Sequence, residues 1–157
     1  MTNDAPPATC RTHEFTTRSG AETIEAGRQL AHLIVAPQLL ILRGDLGTGK
    51  TTLVKGIAEA LNAAEADEVT SPTFTLLNEF DGAQEGRPVK LFHLDVYRLE
   101  GERQLETLGL DELLALDALV LVEWGEKFKS IQKKATGEIA IVSAGGDARK
   151  ITVTLKE

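Results

Sequence analysis

Eight residues constrain this chain more than any others: Gly44-Asp45-Leu46-Gly47-Thr48-Gly49-Lys50-Thr51, a G-x-x-x-x-G-K-[ST] run. Upstream, Leu39-Leu40-Ile41-Leu42 is a short unbroken apolar run between Pro37 and Gly44, the pattern of a strand buried on both faces. Downstream, Leu53, Val54, Ile57, Ala58 and Leu61 recur at helical spacing, so a helix begins inside the motif. Strand, glycine turn and helix in that order aim successive backbone N–H groups and the positive end of a helix dipole at one point, which is an anion site. Glycines let such a loop take left-handed turns and approach a phosphate closely. Its lysine reaches the terminal phosphates and the hydroxyl that follows ligates Mg²⁺. Lys50 and Thr51 occupy those places, and Asp45, Leu46, Gly47, Thr48, Gly49 and Thr52 complete the expected nucleotide-binding segment.

A triphosphate site in an α/β sheet needs acidic groups at the carboxyl ends of neighbouring strands, to hold metal or position water. Two stretches supply them. In Val89–Tyr97 the two-residue period puts Leu91, His93, Asp95 and Tyr97 on one face and Phe92, Leu94 and Val96 on the other. Asp95 is the candidate there, whereas an isolated His93 on a strand reads as a structural hydrogen-bonder. Ala118-Leu119-Val120-Leu121-Val122 is a second fully apolar strand and runs into Glu123, which is thereby aimed at the ligand edge in the manner of a Walker B acid. Trp124, the sole tryptophan, fits either a place beside the nucleotide or the core.

The remaining segments read as scaffold. Residues 1–11 are expected to be a disordered tail, and residues 12–157 a single domain with an edge strand at Thr12–Thr17. Ser19-Gly20-Ala21-Glu22 fits a capping box, and the helix it opens carries Ile24, Gly27, Leu30, Ala31 and Ile34 on one face before Pro37 stops it. Pro72 forces Ser71 extended, so Thr73 sits in a loop, where it serves equally as a γ-phosphate-sensing switch residue or an ordinary turn. Phe74–Phe80 reads as a strand, and Asp81-Gly82 to Arg87-Pro88 as an exposed hairpin-like loop. Glu100–Leu114 is expected to form two short helices broken at Gly109, and Gly125–Ser130 a helical turn. Ile139–Ser143 and Ile151–Leu155 form a hairpin around Gly145-Gly146-Asp147.

Composition excludes several classes. With 17 basic and 24 acidic residues, a formal charge of −7 and no long basic run, direct non-specific binding to DNA or RNA is disfavoured. The longest apolar run is too short to span a bilayer and the first residues lack a signal-peptide core, so a cytoplasmic protein without membrane contact is expected. Cys10 is the one cysteine, which rules out an intrachain disulfide or a cysteine zinc site.

The phosphate loop, Ser71-Pro72-Thr73-Phe74, His93-Leu94-Asp95-Val96-Tyr97-Arg98 and Val122-Glu123-Trp124 stand in one order, and with them the chain resembles the TsaE (YjeE) family from about Glu14 to Leu155. Those are small bacterial ATPases that support threonylcarbamoylation of adenosine beside the tRNA anticodon. Thr48 stands where the family often has alanine. The motifs and the resemblance imply an α/β fold of the P-loop NTPase type: a three-layer α/β/α domain with a mixed, mainly parallel central sheet and antiparallel additions. The resemblance further implies a slow ATPase that uses ATP and Mg²⁺ and works with TsaB–TsaD-type transferase subunits, meeting tRNA only through that complex. Carried onto this chain, Lys50 holds phosphate, Thr51 and Glu123 bind Mg²⁺, Thr73 serves a switch-like loop and Asp95 acts near the attacking water. A small-molecule kinase and a nucleotide-gated switch with little turnover share the same loop. The absence of an [NT]-K-x-D guanine-reading motif favours ATP.

Overall fold

A computed structural model describes residues 10–45, 47–72 and 76–156. Seven strands, β1 Cys10–Thr17, β2 Gln38–Arg43, β3 Leu77–Gln84, β4 Arg87–Asp95, β5 Ala118–Glu123, β6 Gly137–Gly145 and β7 Ala148–Lys156, form one sheet in the order β1-β7-β6-β2-β5-β4-β3. The four central strands β6, β2, β5 and β4 run parallel. The additions on either side, β7 and β1 beyond β6 and β3 beyond β4, are antiparallel. Helices α1 Gly20–Ala31 and α2 Lys50–Ala60 cover one face, and α3 Glu102–Leu108, α4 Leu110–Leu114 and α5 Lys129–Lys134 the other. The result is the three-layer α/β/α arrangement expected.

Strand alternation sorts the core. Leu40, Leu42, Leu119, Leu121 and Leu91 point to the α1/α2 layer, while Leu39, Ile41, Val120, Val122, Phe92 and Leu94 point to the opposite layer. Each such side chain, removed from water, contributes about 1.5–3 kcal/mol. That is why the two fully apolar runs occupy the middle of the sheet. The same alternation places Asp95 and Glu123. In the parallel register Leu42 lies beside Glu123 and Glu123 beside Asp95, so all three share the α2 face at the carboxyl edge.

Helices α1 and α2 pack at unusually close range. A Cβ on Gly27 would lie 2.3 Å from the Leu53 carbonyl oxygen, and one on Gly56 would lie 1.9 Å from that of Ile24. At the start of α1, Ser19 Oγ accepts from Glu22 N–H at 3.1 Å. The reciprocal bond reaches one residue further back than in a standard capping box, since the Glu22 carboxylate accepts from Arg18 N–H. The helix ends at Ala31, capped by His32, several residues before Pro37.

Four expectations change, the first being the strand read at Phe74–Phe80, which starts at Leu77, with Phe74 and Thr75 outside the described residues. Strand β1 starts at Cys10, so Cys10 and Arg11 belong to the sheet rather than to a tail, where they pair with Lys156 and Leu155. The stretch from Asp81 to Pro88 is not a loop: β3 and β4 pair through it and turn tightly at Glu85-Gly86, both at positive φ. Polar anchors replace the apolar ones the sequence lacks. The Gln84 side-chain amide donates to Ile34 O at 2.8 Å and its oxygen accepts from Ala36 N–H at 3.0 Å, and Ala83 N–H donates to Leu61 O. The turn expected at Gly125–Ser130 is followed by α5, which runs on to Lys134. No helix among the described residues is long and apolar enough to cross a membrane.

Candidate functional site

The glycine loop closes on itself before α2 begins. Thr48 N–H and the Thr48 hydroxyl both donate to Asp45 O, at 3.2 and 2.7 Å. Gly47 and Gly49 adopt φ of 80° and 104°, a region that costs a side chain energy but not a glycine. A Cβ on Gly44 would sit 2.6 Å from the Thr48 hydroxyl oxygen and 2.9 Å from Ile141 O, so the loop also needs a glycine at its entry. Gly49 caps α2, whose first residue is Lys50.

Lys50 folds back over this loop. Its ammonium donates to Gly44 O at 2.6 Å and lies 3.4 Å from Glu123 Oε1 and 5.7 Å from the Trp124 ring centroid. Glu123 is buried at 4% exposure, and its Oε2 accepts from His93 Nε2–H at 2.7 Å. Burial alone pushes the Glu123 carboxyl upward, but the His93 hydrogen bond and the Lys50 charge outweigh it, and the group is held below the usual glutamate range. Asp95 is also buried, and its Oδ1 accepts from Tyr97 N–H at 2.9 Å, while its second oxygen has no hydrogen-bond partner among the described residues. His93 itself is fully buried, and its Nδ1 has no hydrogen-bond partner among the described residues.

These groups open onto one cleft of about 510 Å³, lined by Gly47, Gly49, Lys50, Thr51, Thr52, Asp95 and Glu123, with Ser71, Tyr97, Arg98 and Trp124 around them. Asp45 and Thr48 line a second cleft, of about 550 Å³, which shares Lys50 and Trp124 with the first and runs along β6 at Ala140–Ser143. Of the expected site residues, Gly47, Gly49, Lys50, Thr51, Thr52, Asp95 and Glu123 meet in the first cleft, Asp45 and Thr48 do not line it, and Leu46 and Thr73 lie outside the described residues. Trp124 resolves to the mouth of the cleft rather than the core. It is 39% exposed, its ring is 4.8 Å from that of Tyr97, and its backbone is left-handed with φ 66°.

The donor set is hard and oxygen-rich. Among the described residues no group of three His, Cys, Asp or Glu side chains is disposed to hold a metal ion by itself. One hydroxyl and one or two carboxylates beside the glycine loop and the head of α2 suit Mg²⁺, a hard cation that keeps several waters and takes few protein oxygens. They do not suit a soft metal that needs thiolate or clustered imidazole.

The family model for Threonylcarbamoyl adenosine biosynthesis protein TsaE matches residues 17–151. The chain belongs to the TsaE family. It is 44% identical over 117 residues to the Bacillus subtilis tRNA threonylcarbamoyladenosine biosynthesis protein TsaE, covering 74% of this chain and 68% of the relative. With the protein of the same description from Streptomyces coelicolor it shares 39% over 135 residues, 83% of this chain and 88% of the relative. The crystal structure of YdiB from Bacillus subtilis superposes with a TM-score of 0.67 at 32% identity, covering 95% of this chain and 88% of that one. This TsaE-family chain is thus similar to its relatives in sequence and to a solved structure in fold.

Sequence reasoning read His93 as a structural hydrogen-bonder, and the structure shows it bonded to Glu123. That reasoning missed Arg149, which donates to the glycine loop at Thr48 O from the far end of the chain and belongs to no motif.

Proposed function

We propose that this chain binds and hydrolyses ATP with Mg²⁺ in tRNA threonylcarbamoyladenosine biosynthesis, as the accessory ATPase of a TsaB–TsaD-type transferase in the cytoplasm. One observation carries the reading. The Lys50 ammonium stands between the Gly44 carbonyl and the Glu123 carboxylate, at the head of a helix and in a cleft whose other wall bears Asp95. That is a cation held in place for an anion that arrives later.

The residues divide the work. Loop N–H groups from Gly47 to Thr51 and the head of α2 receive the phosphates, and Lys50 exchanges its protein partners for phosphate oxygens. Thr51 and Glu123 are the residues that would hold Mg²⁺, which when bound draws negative charge from the phosphate oxygens. Asp95, pinned through one oxygen by Tyr97 N–H, has the other available to orient a water. His93 holds Glu123 in place from below. Catalysis here rests on positioning and on charge neutralisation in a half-closed cleft, which fits a slow enzyme that a partner accelerates by completing the site.

The test is ATP binding and phosphate release by the purified chain with Mg²⁺, with and without the two transferase subunits. Turnover should rise in their presence, and Lys50→Ala should abolish tight binding and release. Hydrolysis undiminished in Lys50→Ala would refute the assignment.

A further inference from the structure

Arg149 lies at the start of β7, 101 residues from the loop it touches. Its Nε donates to the Thr48 carbonyl oxygen at 2.8 Å, and one terminal nitrogen donates to Gly146 O and Ala148 O at 2.7 and 2.8 Å. The hairpin that carries it supports the loop a second time, because Ile141 of β6 packs under Gly44 and lies 3.5 Å from where a Gly49 Cβ would be. The turn inside the loop does not fix the Thr48 carbonyl, since it uses only the Thr48 N–H and hydroxyl.

A trans peptide is planar, with its carbonyl and the following N–H pointing opposite ways. Holding the Thr48 carbonyl toward Arg149 therefore turns the Gly49 N–H away from the hairpin. The clefts agree. Thr48 lines the one on the hairpin side with Ser143, whereas Gly49 lines the one that holds Thr51, Asp95 and Glu123.

We propose that Arg149 is a positioning residue for the nucleotide site, fixing the Thr48–Gly49 peptide so that the Gly49 N–H already faces the phosphates before they bind. The inference rests on the ATP-site reading above. A donor set in advance costs no reorganisation when the anion arrives.

Two substitutions separate this role from simple attraction of phosphate by positive charge. In Arg149→Gln the amide nitrogen occupies the chain position of the arginine Nε, so the bond to Thr48 O survives while the charge is lost. In Arg149→Lys the charge survives and the donor at that position is lost. Both lose the terminal nitrogen that holds Gly146 and Ala148, so damage to the hairpin turn cancels in the comparison. ATP affinity by calorimetry should fall about tenfold in Arg149→Lys and in Arg149→Ala, and stay within about threefold of the parent in Arg149→Gln. In the nucleotide-free protein the Thr48 carbonyl ¹³C resonance should move in the Lys and Ala variants and hold in the Gln variant. The reverse order of affinities, or parent-like affinity and resonance in all three, would overturn the proposal. If the parent itself failed to bind ATP, the function reading would fall, while the carbonyl resonance would still judge the Arg149 clamp.

Discussion

Replacing Gly56 by alanine sets two effects of opposite sign against each other. Gly56 is an interior residue of α2, and alanine there gains about 1 kcal/mol of helix propensity. The added Cβ, however, would lie 1.9 Å from the Ile24 carbonyl oxygen, 2.8 Å from its carbon and 2.9 Å from Arg28 N. All three are backbone atoms of α1, so no rotamer change relieves the clash and the helices must separate by about 1 Å. Overpacking of this kind costs about 1–3 kcal/mol, and backbone against backbone belongs at the upper end. The balance is a loss of about 2 kcal/mol, or roughly 4–8 °C in Tm for a domain of this size. Since α2 begins at Lys50, the displacement also moves the ammonium relative to Glu123, and a shift of about 1 Å can cost on the order of a hundredfold in the proposed ATP turnover. Urea unfolding followed by circular dichroism, with Gly20→Ala as the control, measures the first effect. Gly20 opens α1 with nothing within 4 Å of its added Cβ, and its substitution should be neutral or slightly stabilising. A Gly56→Ala protein as stable as the parent would show that the helices do not pack as described.

The His93–Glu123 pair makes two further predictions. Because the folded Glu123 carboxyl is held below its ordinary range, ionised Glu123 stabilises the fold fully above the unfolded glutamate pKa of about 4.3 and progressively less as pH falls through the lower folded value. Urea midpoints measured from about pH 7 to about pH 3 should therefore fall more steeply in the parent than in Glu123→Gln, and parallel curves would contradict the assignment. His93→Leu removes a hydrogen bond to a buried charge and should cost about 1.5–3 kcal/mol. His93→Gln, which can present a nitrogen to the same carboxylate, should recover most of that stability and more of the proposed ATP turnover than His93→Leu; equal loss in both variants would reduce His93 to a filler of space.

The parts of the fold that were legible were those in which one local pattern sufficed. Leu39–Leu42 and Ala118–Val122 could only be buried strands, and the glycine loop followed by Leu53, Val54 and Ile57 could only open a helix. Once both acids were placed at strand ends, parallel pairing brought Asp95 beside Glu123. What the sequence concealed was held by polar groups acting at long range. The β3–β4 hairpin looked like a loop because its anchor is the Gln84 amide on the backbone of Ile34 and Ala36, not an apolar side chain. His93 read as a structural hydrogen-bonder, but its partner went unnamed because it lies 30 residues away on another strand. Arg149 carried no periodic signal at all, since its target is a backbone carbonyl.

Strand β2 has its hydrogen-bonded neighbours in β5 and β6 and none in the residues that precede it. A ribosome making this chain therefore releases Leu39–Leu42 long before residues 119–123 and 137–140 exist to flank it. Throughout that interval the greasiest segment of the nascent polypeptide has two bare ladder edges, and the glycine turn it carries has no floor. Cellular yield should thus depend on whatever shields those four side chains during translation, a burden that measurements on the finished domain would never register.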